Sequence, residues 1–182
     1  MGQKTICIDE EIPFEIPDRW RFVRLKCIWE LLSGRDLIPS KYNNDENGIP
    51  YITGASNFSD GKVNPIRWTP TPQVITDFGD ILITCKGTVG EMAINDFGKA
   101  HIARQVMAIR NIYNLNIEYL SLCIQFYIES IKLSAKGLIP GISREEILNI
   151  ILPIPPVVYQ QRVVNSVCKY NNILNDIEAS LN

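Results

Sequence analysis

Apolar and charged residues alternate along Trp20-Arg21-Phe22-Val23-Arg24-Leu25, a pattern that predicts a strand. Cys27 to Leu32 is apolar enough for either a strand or a helical turn, and Ser33-Gly34-Arg35-Asp36 breaks it. Residues 39–48 form a polar loop closing on Asn47-Gly48. Tyr51-Ile52-Thr53 reads as a strand after Pro50, and Asp60-Gly61 as a turn. Pro65, Pro70 and Pro72 make the next stretch irregular. The clearest β signal is Asp80-Ile81-Leu82-Ile83-Thr84-Cys85, a buried strand. Lys86-Gly87-Thr88-Val89-Gly90 joins it tightly to a return strand, Glu91-Met92-Ala93-Ile94. Ala100 to Ala103 and Val106 to Ile109 are two further strand-like segments. Asn116 is placed to cap a helix whose Ile117, Leu120, Ile124, Tyr127, Ile128 and Ile131 share one face.

The chain is organised around residues 137–162. Pro140-Gly141 is turn punctuation, and Ser143 with Glu146 three residues later forms a capping box that starts a short helix through Ile147 and Leu148. Leu152-Pro153-Ile154-Pro155-Pro156 must be extended, because each proline lacks a donor and disfavours the α region in the residue before it. A long helix begins near Val157. These prolines predict a stiff spacer between a globular part and a protruding helix.

In that last helix Val163, Val167, Tyr170, Leu174, Ile177 and Leu181 recur in steps of four and three, a heptad seam. Asn171, Asn172, Asn175 and Asp176 supply a polar outer face. The seam suits a coiled coil with another chain or domain; the plainer alternative is an amphipathic helix packed on its own domain.

The 182 residues suffice for one domain with an appendage, and 46% hydrophobic with 21% charged is an ordinary globular composition. No stretch is apolar over the roughly 18–20 residues of a membrane span. The N-terminus, MGQKTICIDEEIPFEIP, lacks the apolar core of a signal peptide. The net charge of −2 argues against strong stand-alone DNA binding, yet fits a module whose partners supply further phosphate contacts. Cys7, Cys27, Cys85, Cys123 and Cys168 are odd in number and without CxxC spacing, as for buried free thiols in a reducing cytoplasm. With His101 as the single histidine, no metal site is expected.

Several stretches together resemble the target recognition domain of type I restriction-modification specificity subunits. They are Ile12-Pro13-Phe14-Glu15-Ile16-Pro17-Asp18-Arg19-Trp20; Ile49-Pro50-Tyr51-Ile52-Thr53-Gly54-Ala55; Gly79-Asp80-Ile81-Leu82 with Gly87, Thr88 and Gly90; and Ile139-Pro140-Gly141-Ile142-Ser143, Leu152-Pro153-Ile154-Pro155-Pro156 and Gln160-Gln161-Arg162. Tyr159 departs from the family, which usually has Glu before the glutamine pair. The resemblance implies an α+β fold: a β-rich recognition domain over 1–156, with 1–16 as an irregular lead-in, followed by a spacer and dimerisation helix over 157–182. It implies double-stranded DNA, methyltransferase subunits and, through the complex, a restriction subunit as partners, with no cofactor. One recognition domain with one helix is half of a usual specificity subunit. A natural half-subunit, rebuilt by homodimerisation through the seam, and a truncated chain both fit.

Candidate DNA contacts follow. Lys86 suits a phosphate and Thr88 a phosphate or base edge, although the loop holding them also reads as a simple hairpin connection without the spacing of a nucleotide-binding loop. Thr53, Ser56 and Asn57 are short polar groups able to reach bases or to serve a turn. Lys41, Tyr42, Asn43 and Asn44 lie in a polar loop that is either DNA-facing or merely solvated. Arg104 matches guanine and Gln105 adenine by bidentate pairing, with a structural hydrogen bond by Gln105 equally open. Catalysis is not expected: no GxSxG, no nucleophile with a base and no convincing carboxylate cluster occurs, and Ile154-Pro155-Pro156-Val157 only mimics an amino-methyltransferase motif. A coiled-coil interaction protein without DNA binding, or a diverged methyltransferase or nuclease, are the alternatives.

Overall fold

The structure is a computed structural model that describes residues 8–134 and 141–181. Cys7, Ile139 and Pro140 lie outside the described residues. The element order is β1 (Arg21–Arg24), α1 (Leu25–Ile28), β2 (Trp29–Ser33), β3 (Ile49–Ile52), β4 (Phe58–Ser59), β5 (Lys62–Val63), β6 (Trp68–Thr69), β7 (Ile75–Thr76), β8 (Ile81–Thr84), β9 (Met92–Ile94), β10 (Ala100–Ile102), β11 (Val106–Asn111), α2 (Ile117–Ser134), α3 (Arg144–Asn149), β12 (Ile151–Ile154) and α4 (Val157–Leu181). It is the expected α+β architecture.

The central sheet has the order β2-β11-β8-β9 and is antiparallel throughout. Successive strand residues point to opposite faces, and here both faces are covered. Ile81, Ile83, Met107 and Ile109 pack on the helical side with Leu120, Ile124 and Ile128 of α2. Leu82, Val106 and Ala108 face the other way, against Ile52, Ala100 and Ile102 of the second sheet. That double burial is why β8 is apolar without a break. The second sheet runs β6-β3-β10-β7, with β3 and β10 parallel. Both α2 signals read from the sequence hold: Asn116 Oδ1 accepts from Tyr119 N at 2.8 Å, and the inner face is Leu120, Ile124 and Ile128.

The segment 141–154 threads through the main core. Ser143 Oγ accepts from Glu146 N at 3.2 Å while the Glu146 carboxylate accepts from Ser143 N at 2.7 Å, completing the capping box. Ile147, Ile150 and Leu152 are buried. Four expectations change. The proline run is not a free spacer: β12 pairs antiparallel with β1, with Pro153 opposite Phe22. This two-stranded ribbon spares a donor that proline lacks, as edge strands do. Helix α4 does not protrude from its first residue either, because Gln160 and Val164 are buried against the body. The proline-rich stretch 65–72 holds β6, which pairs with β3. Finally, of the described cysteines, all free, only Cys85 is buried; Cys27 and Cys168 are exposed.

Candidate nucleic-acid interface

The turn between β10 and β11, Ala103-Arg104-Gln105, is where separate parts of the chain meet. Ala103 N donates to Ile52 O at 2.9 Å, and Val106 N to Ala103 O at 2.9 Å. Cys85 N donates to Gln105 O at 2.8 Å, tying the end of β8 to the same turn. Gly34 N donates to Val106 O at 3.1 Å and Arg35 N to Ile102 O at 2.9 Å. A Cβ at Gly34 would collide with the Ala103 carbonyl, so glycine is what lets β2 end this close. A Cβ at Gly54 would meet the Gln105 amide, which places the Thr53-Gly54 corner beside Gln105.

One edge therefore gathers Thr53, Arg104, Gln105 and, one residue beyond Cys85, Lys86. Arg104, Gln105, Lys86 and Thr88 are exposed. Arg104 is held by Asp36: Nε lies 2.7 Å from Oδ2, and Arg104 N donates to Oδ1 at 3.1 Å. Lys86 and Lys41 have no ion-pair partner among the described residues. Tyr42 reaches the same region through an apolar cluster of Leu37, Tyr51 and Ala103. Its ring lies 5.4 Å from that of Tyr51 and carries the Arg67 guanidinium 4.9 Å from its centre.

Two residues singled out from sequence have structural work instead. Asn57 is fully buried. Its Oδ1 accepts from Thr53 N at 2.8 Å and Thr53 Oγ1 at 3.0 Å, and its Nδ2 donates to Asn64 O at 3.1 Å. It shapes the turn and has no free edge for a base. Asn43, in the polar loop, caps its own turn, donating to Asn47 O at 2.9 Å and accepting from Asp45 N at 3.0 Å. Sequence reasoning missed Asp36 and Arg67, whose partners are remote in the chain and leave no local periodic signal.

His101 is buried, stacked on Tyr51 with ring centres 4.9 Å apart. Nε2 lies 2.9 Å from Arg35 O, and Nδ1 lies 2.9 Å from Val74 O and 3.2 Å from Val74 N. Burial pushes its pKa below the ordinary 6.5, against the raising effect of the carbonyls of Val74 and Arg35. It braces β10 behind the turn. No group of three metal-ligating side chains occurs among the described residues. Nor is any described helix long and apolar enough to cross a membrane.

The six seam residues of α4 divide. Val163 and Val167 line a groove with Leu122, Phe126 and Tyr127 of α2. Tyr170, Leu174, Ile177 and Leu181 are 65%, 57%, 49% and 80% exposed. The first turns thus pack on the chain's own domain, and the remainder presents an uncovered apolar stripe.

Residues 17–182 match the model of the type I restriction modification DNA specificity domain, and the chain belongs to that family. It is 27% identical over 157 residues to a putative type I restriction enzyme MjaX specificity subunit of Methanocaldococcus jannaschii, covering 82% of this chain and 36% of the relative. It is 24% identical to the type I restriction enzyme EcoEI specificity subunit of Escherichia coli, over 95% of this chain and 32% of that one. The crystal structure of the HsdS subunit from Thermoanaerobacter tengcongensis superposes with a TM-score of 0.78 at 27% identity, covering 92% of this chain and 41% of the other. The chain spans about a third of the length of the curated relatives it matches. This is a family of specificity subunits rather than of catalytic ones, and both curated relatives carry that name.

Proposed function

We propose that this chain reads one half of a bipartite double-stranded DNA target as the specificity component of a type I restriction-modification complex. Residues 1–156 are the recognition unit and 157–182 the spacer helix. The observation that carries the reading is the edge at the β10–β11 turn, which brings Thr53, Lys86, Arg104 and Gln105 together from three separate segments. Arg104 and Gln105 supply bidentate base contacts, Lys86 and Lys41 phosphate contacts, and Thr53 and Thr88 shorter polar ones. Tyr42 serves as an apolar support behind them. Recognition of this kind needs a rigid presenting surface, and backbone hydrogen bonds from Ala103 N to Ile52 O, Cys85 N to Gln105 O and Gly90 N to Thr84 O fix the bases of these loops.

Methyltransferase subunits dock on the assembled specificity component, and the restriction subunit joins through them in the cytoplasm. The chain itself supplies no cofactor or catalytic group. The exposed stripe of Tyr170, Leu174, Ile177 and Leu181 pairs with a second helix, from another copy or another domain. A helical ruler of this kind fixes the separation of two half-sites, as dimeric DNA readers do.

The test is binding of a duplex pool by the full chain co-expressed with its methyltransferase partner, measured against salt. Lys86→Ala should weaken binding to every sequence and reduce the salt slope by about one. Unchanged affinity and slope would remove the 86–90 loop from the interface.

A further inference from the structure

Resting on the DNA-reading role proposed above, we infer that Asp36 is a specificity-positioning residue: it holds Arg104 so that its outer fork reads a guanine. Both carboxylate oxygens are engaged by one residue. Oδ1 takes the Arg104 backbone N–H at 3.1 Å, and Oδ2 lies 2.7 Å from Nε. The carboxylate thus lies against the Nε end of the guanidinium as an ion pair. Among the described residues nothing accepts from Nη1 or Nη2, and the Arg104 side chain is 69% exposed. That outer pair is the fork that matches O6 and N7 of guanine in the major groove.

Asp36 is itself fixed on both sides. Arg35 N donates to Ile102 O at 2.9 Å, and Leu37 N donates to Tyr51 Oη at 3.2 Å. Leu37 is buried, and Gly34 abuts Ala103. The carboxylate is therefore presented from an anchored backbone rather than from a free loop. Exposed ion pairs contribute little to stability. Their geometric effect is larger where a flexible side chain must meet a directional target, since a held rotamer need not be ordered on binding.

The charge balance assigns the target as well. Asp36 offsets part of the positive field of Arg104 and disfavours a nearby phosphate. Base acceptors O6 and N7 are uncharged, so their hydrogen bonds survive the neighbouring carboxylate. Lys86, with no such partner, keeps its full charge for the backbone. Arg104 is thus a base reader and Lys86 a phosphate contact.

The test uses the full chain with its methyltransferase partner. A randomised duplex pool defines the preferred sequence for wild type, Arg104→Ala, Asp36→Asn and Asp36→Ala. Asp36→Asn keeps an acceptor for the Arg104 backbone N–H and guards against a folding defect, monitored by thermal melting. Arg104→Ala should relax one guanine by roughly 5- to 150-fold. Both Asp36 variants should relax the same position and no other. Replacing that guanine by 7-deazaguanine, which lacks N7, should weaken wild-type binding about tenfold. It should leave Arg104→Ala and the Asp36 variants unaffected. If wild type selects a motif that Asp36→Asn reads with unaltered guanine preference, the positioning role is wrong while DNA recognition stands. If wild type selects no sequence, the recognition role fails and Asp36 with it.

Discussion

Gln160 Oε1 accepts the backbone N–H of Asn116 at 2.9 Å, joining the first turn of α4 to the first turn of α2. Gln160 Nε2 donates to Pro155 O at 3.1 Å, and the Asn116 side chain donates to Gln161 Oε1 at 2.8 Å. The glutamine pair that reads as a family signature is thus a joint. It ties α4 to the body that carries α2, as the ruler role proposed for that helix requires. Tyr159, where the family usually has Glu, carries the Arg162 guanidinium 5.3 Å from its ring centre and takes no part in the joint.

Gln160 is fully buried, so Gln160→Ala strands the Asn116 N–H and the Pro155 carbonyl. A cost of about 1–3 kcal/mol is expected. Thermal melting should show the loss, and limited proteolysis should cleave first between Pro155 and Val163. An unaltered melting temperature would remove the joint from the account.

Asp80 belongs to the Gly79-Asp80-Ile81-Leu82 signature and also has structural work. Its Oδ2 accepts from Thr76 Oγ1 at 2.9 Å, Asp77 N at 2.8 Å and Arg110 Nη2 at 2.9 Å. Without Asp80, Arg110 still has the Asp77 carboxylate 3.5 Å from Nη2 and the Ile75 carbonyl at 3.2 Å, whereas the Thr76 hydroxyl and the Asp77 N–H lose their acceptor. Asp80→Ala should therefore cost about 1–3 kcal/mol, the range for buried groups left unsatisfied. Denaturant unfolding checks this; a loss under about 1 kcal/mol would mean the pair is solvated.

The exposed half of the seam predicts association. Leu174→Asp with Ile177→Asp should lower the particle mass by light scattering while leaving the melting temperature of the body unchanged, since neither side chain is buried. An equal mass for variant and parent would place association elsewhere or nowhere.

Acidification should weaken the fold at the second sheet. The folded-state pKa of His101 is lowered, chiefly by burial. Below about pH 6.5 the unfolded chain takes up a proton that the folded chain does not. Stability is therefore complete above that pH and is lost as pH falls through the lower folded value. Glu146 acts in the same direction in a more acidic window, because hydrogen bonds from Ser143 hold its carboxyl below the ordinary 4.5. Urea midpoints at pH 8 and pH 5.5 should differ for the parent and far less for His101→Gln; an equal midpoint shift in both proteins would contradict the linkage to His101.

Elements with strong local signals were legible. The capping box at Ser143 and Glu146, the cap at Asn116 and the apolar run of β8 each follow from neighbours a few residues apart. What was not legible depended on distant partners. A two-residue strand such as β6 is too short to show a period, and its prolines read as loop. Pro153 became a strand residue because β1 offered an edge that needs no donor there. Asn57 looked like a reader of bases until the turn it stabilises supplied all its partners. Arg104 stood out by residue type alone, whereas Asp36, 68 residues away, is tied to it only by the meeting of β2 with the β10–β11 turn. The seam of α4 is a heptad pattern in the sequence, but the covering of its first turns by α2 is a tertiary fact.

DNA reading by the β10–β11 edge is tested most directly by selection from a randomised duplex pool, using the chain co-expressed with the proposed methyltransferase partner, for the parent and for Arg104→Ala with Gln105→Ala. The parent should enrich one half-site, relaxed at neighbouring positions in the double variant, with the folded body intact by melting. An identical motif in both proteins, or none in the parent, would contradict it.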